Sequence, residues 1–270
     1  MTLAQEAPVG DMVRQWRGRR RRSQLDVAVA ANLSARHLSF IETGRSRPSP
    51  DMIERLCEEL DVPLRDRNRI HLAAGFAPAH SERPLADLGE AGTAVDALLA
   101  GQEPYPAMAV NVRWELLAGN RSALAAFGDV SPVLLEPPVN VLRSTLHPDG
   151  LAHRLGNYTQ WRSHVVRRVR RQLDRTAAPG LAELLAEIQS YPIPLGKDAV
   201  LGEPGDPIIP MLLHTDLGPL RLLYTLTVFG AARDVTMDEI AVESFFPADA
   251  PSRQLLQRLA GDEPSAAVVP

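Results

Sequence analysis

The sequence predicts an all-α helix-turn-helix domain of five helices, followed by an α+β domain. Three observations carry this. Short helical patterns with capping residues fill the first eighty or so positions. Arginine crowds the same stretch: residues 10–50 hold nine arginines (14, 17, 19, 20, 21, 22, 36, 45 and 47) against three acids (11, 26 and 42), although the whole chain carries −4. Strand-forming runs begin only after Pro104 and Pro106. A basic head on an acidic remainder is the pattern of a nucleic-acid-binding domain joined to another domain.

Each N-terminal helix has its own signals. The first runs from Asp11 to Arg22, with Met12, Val13 and Trp16 apolar before the arginine run. Ser23 caps the second, and Asp26 three residues later completes a capping-box pattern. Leu25, Val27, Ala28 and Ala31 supply its buried side. Asn32 stands at the following turn, where asparagine tolerates a left-handed backbone. Ser34 caps the third helix, Leu38 and Ile41 face inward, and Gly44 ends it. Ser49-Pro50-Asp51 opens the fourth as cap, first-turn proline and first-turn acid. Met52, Ile53, Leu56, Cys57 and Leu60 form its apolar stripe. A fifth helix covers 64–74, stopped by Gly75.

The domain boundaries follow. Residues 1–76 form the first domain and 77–84 (APAHSERP) a linker. Residues 85–260 form the second domain, and 261–270 a disordered tail. Within the second domain, 85–101 reads as a helix, Ala107–Val112 and Trp114–Ala118 as strands, and 120–127 as a helix. Residues 134–138 are turn-rich. Long helical regions cover 151–175 and 180–190. Ile208–His214 and Leu220–Phe229 read as strands about the turn Gly218-Pro219, and Thr236–Ser244 as a last short helix. The strands thus lie at the two ends of the domain with helices between.

Composition excludes several function classes. At 45% hydrophobic and 23% charged residues the chain reads as globular. No run approaches the roughly 20 apolar residues of a membrane span. The stretch MTLAQEAPVGDMVRQ has no signal-type apolar core, so a cytoplasmic location is expected, on the nucleoid when bound to DNA. Cys57 is the one cysteine, which rules out an internal disulfide framework and a cysteine metal cage. It reads as a small apolar side chain of its helix. No glycine-rich lysine loop, HExxH or GxSxG occurs, and the seven histidines are scattered. An enzyme is not expected, nor a required cofactor or metal.

The DNA-reading pair would be Gln24–Ala31 and Ser34–Thr43, two helices joined by a short turn. The outer face of the second shows Ala35, Arg36, Ser39 and Phe40, with His37 at its flank. Arg36 is the first base-reading candidate, because its planar fork matches guanine O6 and N7. His37 suits a base or a phosphate. Phe40 suits packing on a neighbour, a thymine methyl or a dimer surface. Gln24, at a helix start, suits a phosphate, and Arg45 and Arg47 would hold the backbone. The run SQLDVAVAANLSARHLSFIETGRSRPS resembles the Cro/repressor (XRE-family) helix-turn-helix. SARHLSFIETGRSRPSPDMIERLCEELDVPLRDRN is similar to the MmyB-like regulators, whose E-T-G-R-x-R-P-S stretch stands here as Glu42 to Ser49. That resemblance implies a lambda-repressor-like fold in which Gln24, Ser34, Ala35, Arg36 and Phe40 face double-stranded DNA. Arg22 and Asn32 depart from the apolar residue and the glycine common at these places. Arg22 would loosen the first helix or add a phosphate contact.

The resemblance continues through AVNVRWELLAGNRSALAAF (109–127), VNVLRSTLHPDGL (139–151), the Trp161 helix and LYTLTVFGAARDVTMDEIAVESFFPAD (223–249). It implies a PAS-like ligand-binding domain that holds an apolar small molecule, fatty acids first. Apolar lining candidates are Val141, Leu142, Leu146, Trp161, Leu226, Phe229, Phe245 and Phe246; the same residues would also serve as an ordinary core. Candidates for a ligand headgroup are Asn140, Arg143 and His147, with His147-Pro148 equally readable as a turn. The arginines of YTQWRSHVVRRVRRQLDR (158–175) read as a solvated face, a DNA-backbone contact or a partner surface. The expected whole is a homodimeric transcription regulator controlled by its ligand. The rival reading is a constitutive DNA-binding regulator whose second domain only dimerises or contacts RNA polymerase.

Overall fold

Capping side chains fix where the second, third and fourth helices begin. The computed structural model describes residues 7–194 and 208–261. It divides into two units: the chain up to Arg83 with Asp174–Thr176 and Ala231–Asp238, and Pro84–Leu173 with Ala177–Gly230 and the chain from Glu239.

The first unit carries α1 (Val9–Arg19), α2 (Gln24–Ala30), α3 (Ala35–Glu42), α4 (Pro50–Glu59) and α5 (Leu64–Ala73). Ser23 Oγ accepts from the Asp26 N–H, and the Asp26 carboxylate accepts from the Ser23 N–H, which is the reciprocal box expected there. Ser34 and Ser49 cap α3 and α4, each accepting from the backbone N–H three residues on. Asn32 adopts φ 55° in the turn between α2 and α3, and Gly44 φ 71° after α3. Val13, Trp16, Val27, Leu38, Ile41, Ile53, Leu56 and Ile70 fill the interior. Leu25 does not join them and is 61% exposed. It lies about 200° around the helix from Val27, so both cannot face one core. α1 also stops earlier than expected, because Arg21 turns left-handed at φ 50°. His80 and Ser81 are held within this unit: the Asn68 amide exchanges two hydrogen bonds with the His80 backbone, and Ser81 Oγ donates to Asp234 at 2.7 Å.

The second unit is built on one antiparallel sheet in the order β2-β1-β5-β4-β3. Its strands are β1 (Ala107–Val110), β2 (Leu116–Gly119), β3 (Met211–Thr215), β4 (Gly218–Val228) and β5 (Ala241–Pro247). The other elements are α6 (Glu90–Gly101), α7 (Arg121–Ala125), α8 (Val141–Leu146), α9 (Tyr158–Thr176), α10 (Leu181–Ser190), α11 (Val235–Glu239) and α12 (Ala250–Gly261). The expected helix at 236–244 is corrected: α11 ends at Glu239, and β5 takes the centre of the sheet between β1 and β4. Val242, Glu243, Ser244 and Phe245 are all buried, so the strand shows no alternation to betray it. The helix expected over 151–175 is broken at Gly156. There the backbone N–H bonds Leu212 O at 2.8 Å, and a Cβ would lie 2.6 Å from the Leu212 side chain. No sequence pattern singled out α12, and the expected disordered tail lies outside the described residues beyond Gly261.

Asn120, the cap of α7, joins three elements. Its Oδ1 accepts from Ala107 N at 3.0 Å and Ala123 N at 2.9 Å, while Nδ2 donates to Tyr105 O at 2.8 Å and Leu99 O at 3.2 Å. All four of its hydrogen-bonding positions are used, and the residue is buried. Asn120→Ala should cost about 3 kcal/mol through the unpaired groups it leaves, seen as a lower urea midpoint. An unchanged midpoint would remove Asn120 from the framework.

Candidate nucleic-acid interface and ligand cavity

A buried carboxylate seats the third helix. Glu42, the last residue of α3, is 5% exposed. Arg17 on α1 grips it with both edges of the fork, Nε to Oε1 at 2.7 Å and Nη2 to Oε2 at 2.9 Å. Gln24 Nε2 at the start of α2 donates to Oε2 at 2.7 Å, and Arg17 Nη1 reaches Arg22 O at 3.0 Å. Burial alone would raise the Glu42 carboxyl, but the hydrogen bonds from Arg17 and Gln24 outweigh it and hold it below its ordinary value. Beside this triad α1 comes so close that a Cβ on Gly10 would collide with the Ile41 carbonyl and lie 2.9 Å from Glu42 O. Helices α1, α2 and α3 are therefore locked in mutual position.

The outer surface of α3 carries the side chains expected to meet DNA. Arg36 and Arg45 are exposed and flank half-buried Phe40, their guanidinium carbons 5.3 and 6.0 Å from its ring centre. Ala35 and Ser39 are half-buried on the same helix, and Ser34 is spent on its cap. His37 Nε2 lies 3.4 Å from Ser46 Oγ. Arg47 is exposed, stacks 4.7 Å from the Phe76 ring and passes over Gly75, where a Cβ would lie 2.6 Å from Nη2. Among the described residues none of Arg36, Arg45 and Arg47 has a carboxylate within ion-pair distance. Gln24 is half-buried and its amide nitrogen is committed to Glu42. Two arginines of the run after α1 are tied inward: Arg20 Nε donates to Leu60 O at 2.7 Å, and Arg22 pairs with Glu59 at 3.2 Å. Arg22 thus closes α1 against the end of α4, a role the sequence did not show.

The second unit encloses a cavity of about 460 Å³, lined by Met108, Phe127, Leu142, Leu222 and others. Trp161 and Phe245 face it; Val141 and Leu142 do so too. The remaining expected ligand residues lie elsewhere. Asn140 Oδ1 caps α8 and its Nδ2 donates to Arg113 O. Arg143 forks onto Glu187 at 2.7 and 2.9 Å. His147 packs edge-on against Tyr191 at 5.0 Å and accepts from Asp149 N. Leu226 is 41% exposed, Phe229 half-buried, and Phe246 lies 5.9 Å from Tyr105. Leu146 is fully buried in the core beside Tyr158, whose hydroxyl bonds its carbonyl.

The charged lining residues escaped the sequence reading, and two of them form a buried pair. Arg168 on α9 and Glu243 on β5 pair at 2.6 Å, their side chains 16% and 6% exposed. A signal existed: Trp161, Val165 and Arg168 fall at i, i+4 and i+7, which places an arginine on the buried seam of α9. Elsewhere on α9, Arg162 bonds the Ile188 and Gln189 carbonyls, whereas Arg167, Arg170 and Arg171 are exposed.

Two outcomes follow from this geometry. Glu42→Gln should cost about 3 kcal/mol, since it leaves the Arg17 charge without its partner. The Glu42 carboxyl titrates below its unfolded value, so its stabilisation is full above about pH 4.3 and fades as pH falls through the lower folded value. The variant should therefore lose stability at pH 7 and show a flatter acid limb in urea melts; equal limbs would refute the pairing. Arg36→Ala should weaken DNA binding by about 1–3 kcal/mol and relax preference at one base position. An unaltered base preference in a selection experiment would exclude Arg36 from base reading.

Comparison with known proteins gives this arrangement its context. Residues 91–259 match the family described as MmyB-like transcription regulator ligand binding domain, and residues 9–70 match a helix-turn-helix domain. Transcriptional regulator ClgR of Mycobacterium tuberculosis, in strains CDC 1551 / Oshkosh and ATCC 25618 / H37Rv, is 35% identical over 91 residues. The match covers 34% of this chain and 78% of ClgR. Among solved structures, an RNA-binding light-oxygen-voltage receptor aligns at 13% identity with a TM-score of 0.26, over 94% of this chain and 64% of that one, too weak a likeness to bear on the fold. The chain belongs to the MmyB-like transcription regulators, with a DNA-binding helix-turn-helix unit and an α+β, PAS-like ligand-binding domain.

Proposed function

We propose that this regulator acts as a homodimer whose DNA binding is set by an apolar small molecule held in the second unit, with fatty-acid-type chains as first candidates. The cavity is the observation that carries the reading: about 460 Å³, bounded by Met108, Phe127, Trp161, Leu222 and Phe245, on the same chain as a DNA-reading helix. That volume is in the range of small-molecule sites, roughly 300–1,000 Å³. α3 spans eight residues and reads a short half-site, so two-fold pairing supplies both affinity and specificity. Regulation is a population shift, in which the ligand prefers one of two arrangements of the DNA-binding heads and moves the balance by that difference in affinity. No cofactor beyond this ligand is required. The site of action is the nucleoid in the cytoplasm; no described helix is long and apolar enough to cross a membrane.

The alternative is a constitutive regulator whose second unit only dimerises or contacts RNA polymerase. Fluorescence anisotropy on the DNA upstream of the protein's own gene, with unrelated competitor DNA, separates the two. Specific binding that moves when a long-chain fatty acid is added supports the sensor. Specific binding that no apolar ligand alters supports the constitutive form. Sedimentation at micromolar concentration should give a dimer on DNA, and a monomer with and without DNA would overturn that part.

A further inference from the structure

The cavity has an electrical property that bears on what it accepts. Its charged lining residues are Arg121, Arg154 and Arg168 against Asp129, Asp216 and Glu243, so the lining is balanced. Arg121, Asp129 and Asp216 are exposed, which places them at the rim, and Arg154 is held there by Asp129 at 2.6 Å. Arg168 and Glu243 are the one pair of the lining in which both side chains are buried, 16% and 6% exposed, whereas Arg154, 18% exposed, answers to an Asp129 that is 63% exposed. The Arg168 guanidinium lies 4.1 Å from the Trp114 ring centre and 4.6 Å from that of Tyr224, so two aromatic rings pack around it near Glu243. Trp114 is itself fixed by a hydrogen bond from Nε1 to Gln172 at 2.8 Å. Glu243 sits in the central strand, in register with Met108 on β1 and Leu226 on β4, and is 5% exposed.

A carboxylate brought to this pair would find the guanidinium already neutralised and a like charge beside it, and Arg154 likewise carries a carboxylate partner. Repulsion in a poorly hydrated cavity is strong and little screened. A hydroxyl or primary amide meets no such penalty, because it accepts from the guanidinium and donates to the carboxylate at once. We infer that the Arg168–Glu243 pair selects, within this cavity, amphiphiles with an uncharged hydroxyl or amide head over those with a free carboxylate. This rests on the reading of the cavity as an apolar-ligand site and revises its first candidate: the chain stays lipid-like, and the inner head is a neutral hydroxyl or amide in place of a fatty-acid carboxylate.

The test is displacement of a neutral fluorophore, N-phenyl-1-naphthylamine, from the full chain at pH 8 by 1-dodecanol and by dodecanoate. In the wild type dodecanol should act at a concentration at least tenfold lower. Glu243→Gln should improve dodecanoate about tenfold and change dodecanol less than threefold. A chain with Arg168→Met and Glu243→Met together replaces the pair by apolar side chains, a swap that folded proteins often accept, and there dodecanol should weaken at least fivefold. Dodecanoate as tight as dodecanol in the wild type, dodecanoate unmoved by Glu243→Gln, or dodecanol unmoved in the double variant would each overturn the selection while leaving a lipid site in place. Failure of both lipids to displace the fluorophore in every chain would overturn the apolar-ligand reading with it.

Discussion

The bidentate contact between Arg17 and Glu42 is the constraint on which the DNA-reading unit depends. It joins the last residue of α3 to the last turn of α1, and Gln24 extends it to the start of α2. Each member satisfies another, so the charge of Glu42 is buried without being stranded. Pairing of this kind fixes orientation more than it adds stability. Three short helices, none long enough to be stable alone, would otherwise slide on a small apolar core. Presentation of Arg36, Phe40 and Arg45 on one side of α3 follows from that seating. So does the close approach at Gly10, which leaves no space for a side chain.

The ligand-binding unit solves a different problem with the same chemistry. Two of its buried polar sites, Asn120 and the Arg168–Glu243 pair, are met by partners, but one role is structural and the other faces an interior space. Asn120 gathers strand β1, helix α7 and the end of α6 into one corner. The ion pair spans α9 and β5 across the cavity wall. A cavity of this size persists because its apolar lining is carried on a rigid sheet and a nineteen-residue helix, which do not collapse into it.

The N-terminal unit was largely legible in the sequence because its information is local. Ser23, Ser34 and Ser49 fix helix starts within three residues of themselves, and Asn32 and Gly44 mark turns by their own backbone preference. The second unit was read less well because its information is distant. β5 is defined by partners more than 100 residues away on β1, and its burial on both faces erases the alternation that identifies a strand. The break before α9 depends on the approach of Leu212 to Gly156, which no window of neighbouring residues contains. The arginines expected to face DNA stood out as a cluster, yet Arg20 and Arg22 of the same cluster bind protein carbonyls and a carboxylate. Arg168 was hidden in a run of six arginines, distinguishable only by its place in the apolar seam.

The position of β5 sets the order in which the molecule can be made. β1 and β2 form an early hairpin and β3 and β4 a late one, and β5 is the strand that hydrogen-bonds to both β1 and β4. Until residues 241–247 have been synthesised the two hairpins have no shared neighbour, and the inner edges of β1 and β4 lack their pairing. The helices of the head close through short-range contacts and need not wait. During translation, a nascent chain therefore carries the five helices of the DNA-binding head well before it carries a sheet able to enclose a ligand, while the later segments of the first unit, Asp174–Thr176 and Ala231–Asp238, arrive with the rest.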